Sequence, residues 1–419
     1  GTFEFIITNF LGQYIYLFNN NKIKTNLEYQ FGNLGLINNA LQSCYLGEPN
    51  TDILFDEIIK FEDEGGSRYL FFYTNYLLSQ SNFAKAKSLF KNISSLNSTL
   101  LVTQSKRWID KEKYDNFTKI FSCKNSNDLV GELLFIISNI YSAEEELEKS
   151  NFYFNLSNYL NPKFKFNFSL LADNYFKKEK YNKTKKILKN FKKKNEAYYW
   201  YKIKKTAQII EIENKKNDIS LKYIKKKFNE LNKPSLKTVY DMANIVKRFE
   251  EYDLSIKYYT YILSKLDPES FMYADVLYRR GSSYERIKDE KKSDKDLLRS
   301  LEINPNEPYV LNYLAYSWLE RNYKIDTAME MLEKAYAQKE NDPYIIDSIG
   351  WAHYLVGNYV EAEKFLRRAV EIMPSDPIVN DHYGDILWKL GRKIQAHYFW
   401  KNVLSLEDVE EKIKKDIFY

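Results

Sequence analysis

Small side chains recur along this chain at a fixed interval, and that recurrence limits its fold more than any other feature. Gly350 and Gly384 stand 34 residues apart, and so do Ser138 and Ala172. The clearest unit runs from Pro343 to Asp376 and places Ile349, Gly350, Gly357, Tyr359, Ala362, Leu366, Ala369 and Pro374 in order. Each position has a physical reason. A small residue at 350 and at 362 lets two antiparallel helices approach closely, where a larger one would force their axes apart. Gly357 ends the first helix and Pro374 stops the second. Tyr359 and Leu366 fill the gap to the neighbouring unit.

The same code continues on both sides. Gly384 is followed by Gly391, Ala396 and Trp400. Upstream, Ala315, Ala328, Leu332 and Ala335 repeat it with one inserted residue near Lys324. Gly281, Tyr284, Leu297 and Pro305 precede them, and Ala243, Tyr252, Tyr259 and Ile262 keep a weaker form. These make five consecutive units from about Leu236 to the end. The N-terminal half is more degenerate. Ser138, Tyr141, Phe154 and Pro162 mark one unit there, and Ala172, Tyr175, Tyr181 and Leu188 the next. Phe83, Ala86 and Phe90 carry a second-helix signature, and Leu11, Gly12 and Ile15 read as a first helix. Helical patterns at Asn33–Tyr45, Thr51–Glu62, Leu100–Asp110 and Tyr198–Glu213 fill the remaining slots.

This spacing resembles the tetratricopeptide repeat (TPR). The runs N-Y-L-A-Y-S-W from Asn312, D-S-I-G-W from Asp347 and N-D-H-Y-G-D from Asn380 are similar to the C-terminal part of a proteobacterial TPR family of poorly defined role. Many of its members are envelope-directed. The resemblance implies an all-α, right-handed α-solenoid of stacked helix-turn-helix repeats. Eleven or twelve helix pairs are expected in one continuous array, with degenerate repeats over 1–235 and well-matched ones over 236–419. The middle, from about Phe191 to Pro234, matches the pattern worst.

Composition agrees with helices. Only 13 Gly and nine Pro occur in 419 residues, which leaves little turn chemistry for an all-β fold. Abundant Lys, Asn, Ile, Tyr and Phe fit codon bias from an AT-rich genome. Cys44 and Cys123 form no CxxC or Cys/His cluster, so a zinc finger and a disulfide-rich scaffold are excluded. They read as small apolar packing residues. The three histidines show no metal-ligand spacing: His353 reads as a packed core residue, and His382 and His397 as lone side chains. Nucleophile-elbow, Walker and dinucleotide-binding sequences are absent. No enzymatic activity, cofactor or metal is expected. The apolar run Phe3–Phe18 is broken by Glu4, Thr8, Asn9 and Gln13, too short and polar for a membrane span. Because the first residue is Gly, an upstream signal is expected to decide the compartment: envelope or periplasm with one, cytoplasm without.

In the TPR family, positions two, five, nine, twelve and thirteen of each unit face a concave groove. Carried over, the last four units offer Tyr278, Arg286, Asn312, Tyr316, Asp347, Trp351, Tyr354, Asp381, Asp385 and Trp388. Aromatics with carboxylates suit an extended or helical partner segment bearing apolar and basic side chains. The clamp that grips a chaperone's C-terminal carboxylate needs Lys and Asn at positions five and nine. Those positions hold Tyr278 and Ser282, Asn312 and Tyr316, Asp347 and Trp351, and Asp381 and Asp385, so the clamp is absent. The expected function is therefore a protein-binding scaffold or adaptor within a bacterial envelope complex.

Charge suggests an alternative. The stretch Lys177–Lys227 holds 19 Lys, five acidic residues and no Arg. Interleaved with Tyr181, Tyr198, Tyr199, Trp200, Tyr201 and Tyr223, it could bind RNA or an anionic surface. A solvated lysine-rich face is the simpler reading, since bidentate phosphate recognition favours Arg, and nucleic acid is the disfavoured partner. A third reading makes the chain the regulatory repeats of a larger enzyme. No residue pattern fixes an oligomeric state.

Overall fold

The computed structural model describes residues 2–25, 28–60, 64–91, 93, 96, 98–193, 196–214 and 217–406. Among them are 24 α-helices, one short 3₁₀ helix (Lys165–Asn167) and no strand. The first helices are α1 (Thr2–Asn20), α2 (Glu28–Phe31), α3 (Asn33–Leu46), α4 (Thr51–Ile58), α5 (Glu64–Ser79), α6 (Phe83–Ser88), α7 (Leu100–Asp110) and α8 (Asp115–Thr118). There follow α9 (Ser126–Ala143), α10 (Leu147–Leu160), α11 (Phe168–Lys177), α12 (Tyr181–Leu188), α13 (Glu196–Asn214), α14 (Asn217–Asn229), α15 (Leu236–Arg248) and α16 (Tyr252–Leu263). The last are α17 (Phe271–Arg286), α18 (Glu290–Ile303), α19 (Pro308–Glu320), α20 (Ile325–Gln338), α21 (Pro343–Leu355), α22 (Tyr359–Ile372), α23 (Pro377–Lys389) and α24 (Lys393–Ser405). The chain divides into two units, residues 1–239 and 240–419.

In the second unit the helix pairs are antiparallel hairpins built from the small-residue code. A Cβ on Gly350 would lie 2.8 Å from Leu366 Cγ, and one on Gly281 would lie 3.0 Å from Leu297 Cγ. At Gly384 the neighbour is the Trp400 indole. Ala315 and Leu332 are both fully buried. Two of the first helices carry a cap of the same design. Asp342 accepts from the amides of Tyr344 and Ile345 with Pro343 at the first helical position, and Asp376 with Pro377 repeats the device. Between the paired helices the chain passes through the left-handed region, at Gly357 and Gly391 but also at Glu250, Lys288 and Asn322. The insertion near Lys324 is accommodated by a second left-handed residue, Lys324 itself (φ 46°). Hairpins stack through shared apolar clusters. Leu297 of α18 packs with Leu314 of α19 and Ile345 of α21, and Ile346 of α21 with Leu366 and Val379.

The first unit departs from nearest-neighbour stacking. Hairpin α9/α10 keeps the code, with Ser138 Oγ donating to the Ser150 carbonyl at 2.8 Å and Ser157 Oγ to that of Gly131 at 2.6 Å. Yet α1 packs on α9 and α7 on α13. Gly12 is exposed, and a Cβ placed on it would meet nothing within 4 Å. Ile15 is 63% exposed, so the Leu11–Gly12–Ile15 segment is not a close-packed repeat helix. Long-range polar ties hold the unit. Arg68 donates to Glu132 at 2.8 and 2.7 Å and to Asn167 Oδ1 at 3.0 Å, with its guanidinium 4.1 Å from the Phe135 ring centre. Arg107 pairs with Glu196, whose other oxygen accepts from the Ser235 amide.

Cys44 and Cys123 are not separate packing residues. They form a disulfide between α3 and the segment before α9, with Cα atoms 5.8 Å apart. Sequence separation of 79 residues hid this pair.

If these contacts hold the two units, glycine substitutions should separate close approach from open space. Gly350→Ala should lower stability in urea by about 1–3 kcal/mol, because Leu366 and Phe365 must move. Gly12→Ala, facing open space in a helix, should instead raise it by up to about 1 kcal/mol. Replacing both cysteines by serine should destabilise the first unit by about 2–4 kcal/mol. Hydrogen exchange would show this as faster exchange in α3 and α9, with α19–α22 unchanged.

Candidate functional site

The ten positions expected to face a groove do not form one uniform cluster. Six of them gather around His382, which the sequence pattern alone leaves as a lone side chain. His382, on α23, is buried, and its Nδ1 lies 2.9 and 3.1 Å from the two carboxylate oxygens of Asp347 on α21. Trp351, one turn after Asp347, covers the imidazole face to face with centroids 4.1 Å apart and planes 13° apart. Tyr354 stacks on Trp351 at 4.6 Å. The Trp351 indole N–H donates to Glu320 Oε1 at 2.9 Å, and the Tyr316 ring lies 6.5 Å from His382. Asp381 and Asp385 flank His382 on its own helix.

The electrostatics follow from this crowding. Burial alone would lower the His382 pKa, but the hydrogen-bonded Asp347 carboxylate outweighs it, helped by Asp381 and Asp385, and raises it above the ordinary histidine value. Burial, then Glu320, Asp347 and Asp381, push the Tyr316 phenol up. Tyr354 is pushed up to about 12 by burial and Asp385. The stack is thus an acidic, aromatic patch with its one imidazole locked inside.

The other four positions lie apart. Tyr278 meets Tyr313 edge to face at 5.8 Å, and Tyr313 donates to Glu285 at 3.1 Å. Arg286 donates to the Tyr252 hydroxyl at 3.1 Å. Asn312 has a buried amide oxygen with no hydrogen-bond partner among the described residues. Trp388 turns toward the last hairpin, 5.6 Å from His397 and 5.5 Å from Trp400.

Neither His382 nor His397 is alone, which corrects the sequence reading. The signal for His382 was available: in a stacked array, residues about one period apart meet, and 382 follows 347 by 35 residues. His353 lies flat on Phe365 with centroids 5.7 Å apart. Lys247 was also missed. Its ammonium donates to Ser282 Oγ, and burial beside Arg279 and Arg286 pulls it down to about 8. The second unit therefore carries cations near α15 and α17 and carboxylates on α21 and α23.

The tetratricopeptide-repeat profile matches residues 274–307, the α17/α18 hairpin with its Gly281–Leu297 contact. That hairpin is similar to a tetratricopeptide repeat. The chain is 33% identical over 111 residues to a TPR repeat-containing protein of Pseudomonas aeruginosa. That match covers 26% of this chain and 19% of the relative, so the chain spans about a fifth of the relative's length. Among solved structures it is similar to a thermophilic TPR protein of Thermus thermophilus, at 14% identity, TM-score 0.38, over 44% of this chain and 97% of that one. PilW, a type IV pilus biogenesis factor, matches at 19% identity and TM-score 0.37, over 44% and 86%.

The raised His382 pKa sets a pH dependence. An unfolded histidine titrates near 6.5, so the stability from the Asp347–His382 pair is full below that pH. It is lost as pH rises through the folded value. Urea unfolding at pH 6, 7.5 and 9 should show the second unit losing stability with pH relative to His382→Gln, a comparison in which the opposing Lys247 titration is shared by both proteins. An unchanged slope would mean the pair does not titrate in this range.

Proposed function

We propose that the chain is a non-catalytic scaffold whose second unit captures a partner protein segment bearing apolar and basic side chains. One observation supports this above the rest: the Tyr354–Trp351–His382 stack gathers aromatic side chains beside Asp381 and Asp385 on consecutive first helices. Rigid aromatics lose little conformational freedom on binding and make strong anchors.

The disulfide bears on the compartment. Such bonds persist in oxidising surroundings, among them the bacterial periplasm, and are rare in the cytosol. The Cys44–Cys123 pair therefore supports an envelope role. Among the described residues no helix is long and apolar enough to cross a membrane.

The test is affinity capture from a bacterial envelope extract followed by binding of the recovered partner. Trp351→Ala combined with Asp385→Lys should weaken that partner by about tenfold or more, roughly 1.4 kcal/mol or above. Circular dichroism should show both proteins folded. Recovery of the same proteins by both forms with equal affinity would sink the proposal.

A further inference from the structure

A cavity of about 1170 Å³ lies in the first unit. Its walls are the end of α7, the segment leading through α8, the turn before the 3₁₀ helix, and the end of α12 with the loop after it. Nine of its seventeen lining residues are Lys or Arg and none is Asp or Glu; Arg107 pairs with Glu196 and Lys119 with Asp115, from outside the wall, which leaves seven lysines of one sign. Lys113 comes from the segment leading to α8, Lys163 from the turn before the 3₁₀ helix, Lys165 from the start of that helix, and Lys186, Lys189 and Lys192 from α12 and beyond. We propose that this cavity is a binding site for a ligand carrying several clustered phosphate groups.

Folding gathers these cations against their mutual repulsion. If codon bias alone had placed them, the lysines of 177–227 would form one solvated face, with no reason to meet lysines from elsewhere. Instead the run is sorted. Lys178, Lys185, Lys205 and Lys227 pair with Glu148, Glu213, Asp173 and Glu230. Lys186, Lys189 and Lys192 have no carboxylate partner among the described residues and join Lys163 and Lys165 instead. Lys202 registers the crowding: burial first, then Lys192 and Lys189, lower its pKa. A concave wall of one sign concentrates its field and attracts multiply charged counter-ions.

The kind of charge narrows the ligand. Arg107, the one arginine in the wall, is held by Glu196. The rest are lysines, point charges on flexible stems that suit phosphate oxygens without planar, bidentate recognition. Single-stranded nucleic acid would need free ring faces for its bases. The aromatics here are buried, with Trp108 packed on Phe166 at 5.6 Å and Phe166 on Tyr198 at 4.4 Å. The volume is slightly above the usual range for small-molecule sites, far larger than one phosphate needs. A compact polyphosphorylated molecule fits, whether free in solution or as the headgroup of a lipid.

The experiment is calorimetric titration of the full chain with inositol hexakisphosphate and with tripolyphosphate. Saturable one-to-one binding is expected, weakening about tenfold or more between roughly 50 and 200 mM salt. Lys165→Glu with Lys189→Glu should abolish it, and the milder Lys165→Gln with Lys189→Gln should weaken it about tenfold. Lys87→Glu with Lys149→Glu, an equal charge change outside the cavity, should leave it unchanged. Vesicles of phosphatidylcholine with and without cardiolipin separate the two sources. Displacement of the hexakisphosphate by cardiolipin vesicles marks a lipid headgroup, and its retention marks a soluble ligand. No binding at low salt, equal losses in both pairs of variants, or tighter binding of oligouridylate or oligoglutamate of matched charge would overturn the assignment.

Discussion

The close approach of paired helices at a few small residues is the contact on which the rest of the second unit depends. Gly281, Gly350 and Gly384 each leave room for a large side chain sixteen residues later, namely Leu297, Leu366 and Trp400. With the helices drawn together, the first helices of successive hairpins come within stacking distance. Trp351 can then lie on His382 and reach back to Glu320. The aromatic–acidic patch is thus a consequence of backbone proximity. Add a methyl group at 350 and the α21–α22 spacing changes before any groove residue is touched.

What the sequence made legible follows from how local each contact is. The hairpin code is short-range, so its glycines, its helix-stopping residues and even the extra residue near Lys324 could be read directly. The aromatic–acidic cluster was legible in part. Contacts between neighbouring repeats recur at separations of 31 to 35 residues, as in Trp351 with Glu320 and His382 with Asp347. A lone histidine read only against its own helix misses them. The first unit resisted for a different reason. Its ties join residues 64, 79, 89 and 99 apart: Arg68–Glu132, Cys44–Cys123, Arg107–Glu196 and Arg68–Asn167. No periodicity announces such pairs.

Those ties also explain what specifies the packing of the first unit. Where Gly12 is exposed and α1 packs on α9, nearest-neighbour stacking no longer specifies the arrangement. A buried Arg68–Glu132 pair adds little net stability, since desolvation offsets most of the attraction. It does penalise alternatives strongly, because any packing that separates the two leaves a buried charge unpaired. The disulfide acts in the same direction by restricting the unfolded chain. Specificity lost from the repeat code is supplied by a few long-range contacts.

Charge divides along the same line. Residues 1–239 carry 37 Lys and Arg against 25 Asp and Glu, whereas residues 240–419 carry 26 against 32. Codon bias toward lysine would act on both halves alike, yet the second half is acidic. The distribution of arginine sharpens the point. The first unit has only two, Arg68 and Arg107, and both pair with buried carboxylates, Glu132 and Glu196. There the planar, always-charged guanidinium gives geometry that lysine cannot. Everywhere else in that unit the cation is lysine, so its unpaired positive excess sits on flexible, well-hydrated ammonium groups. Charge of that kind costs stability through self-repulsion. It is therefore better explained by an anionic ligand than by structure.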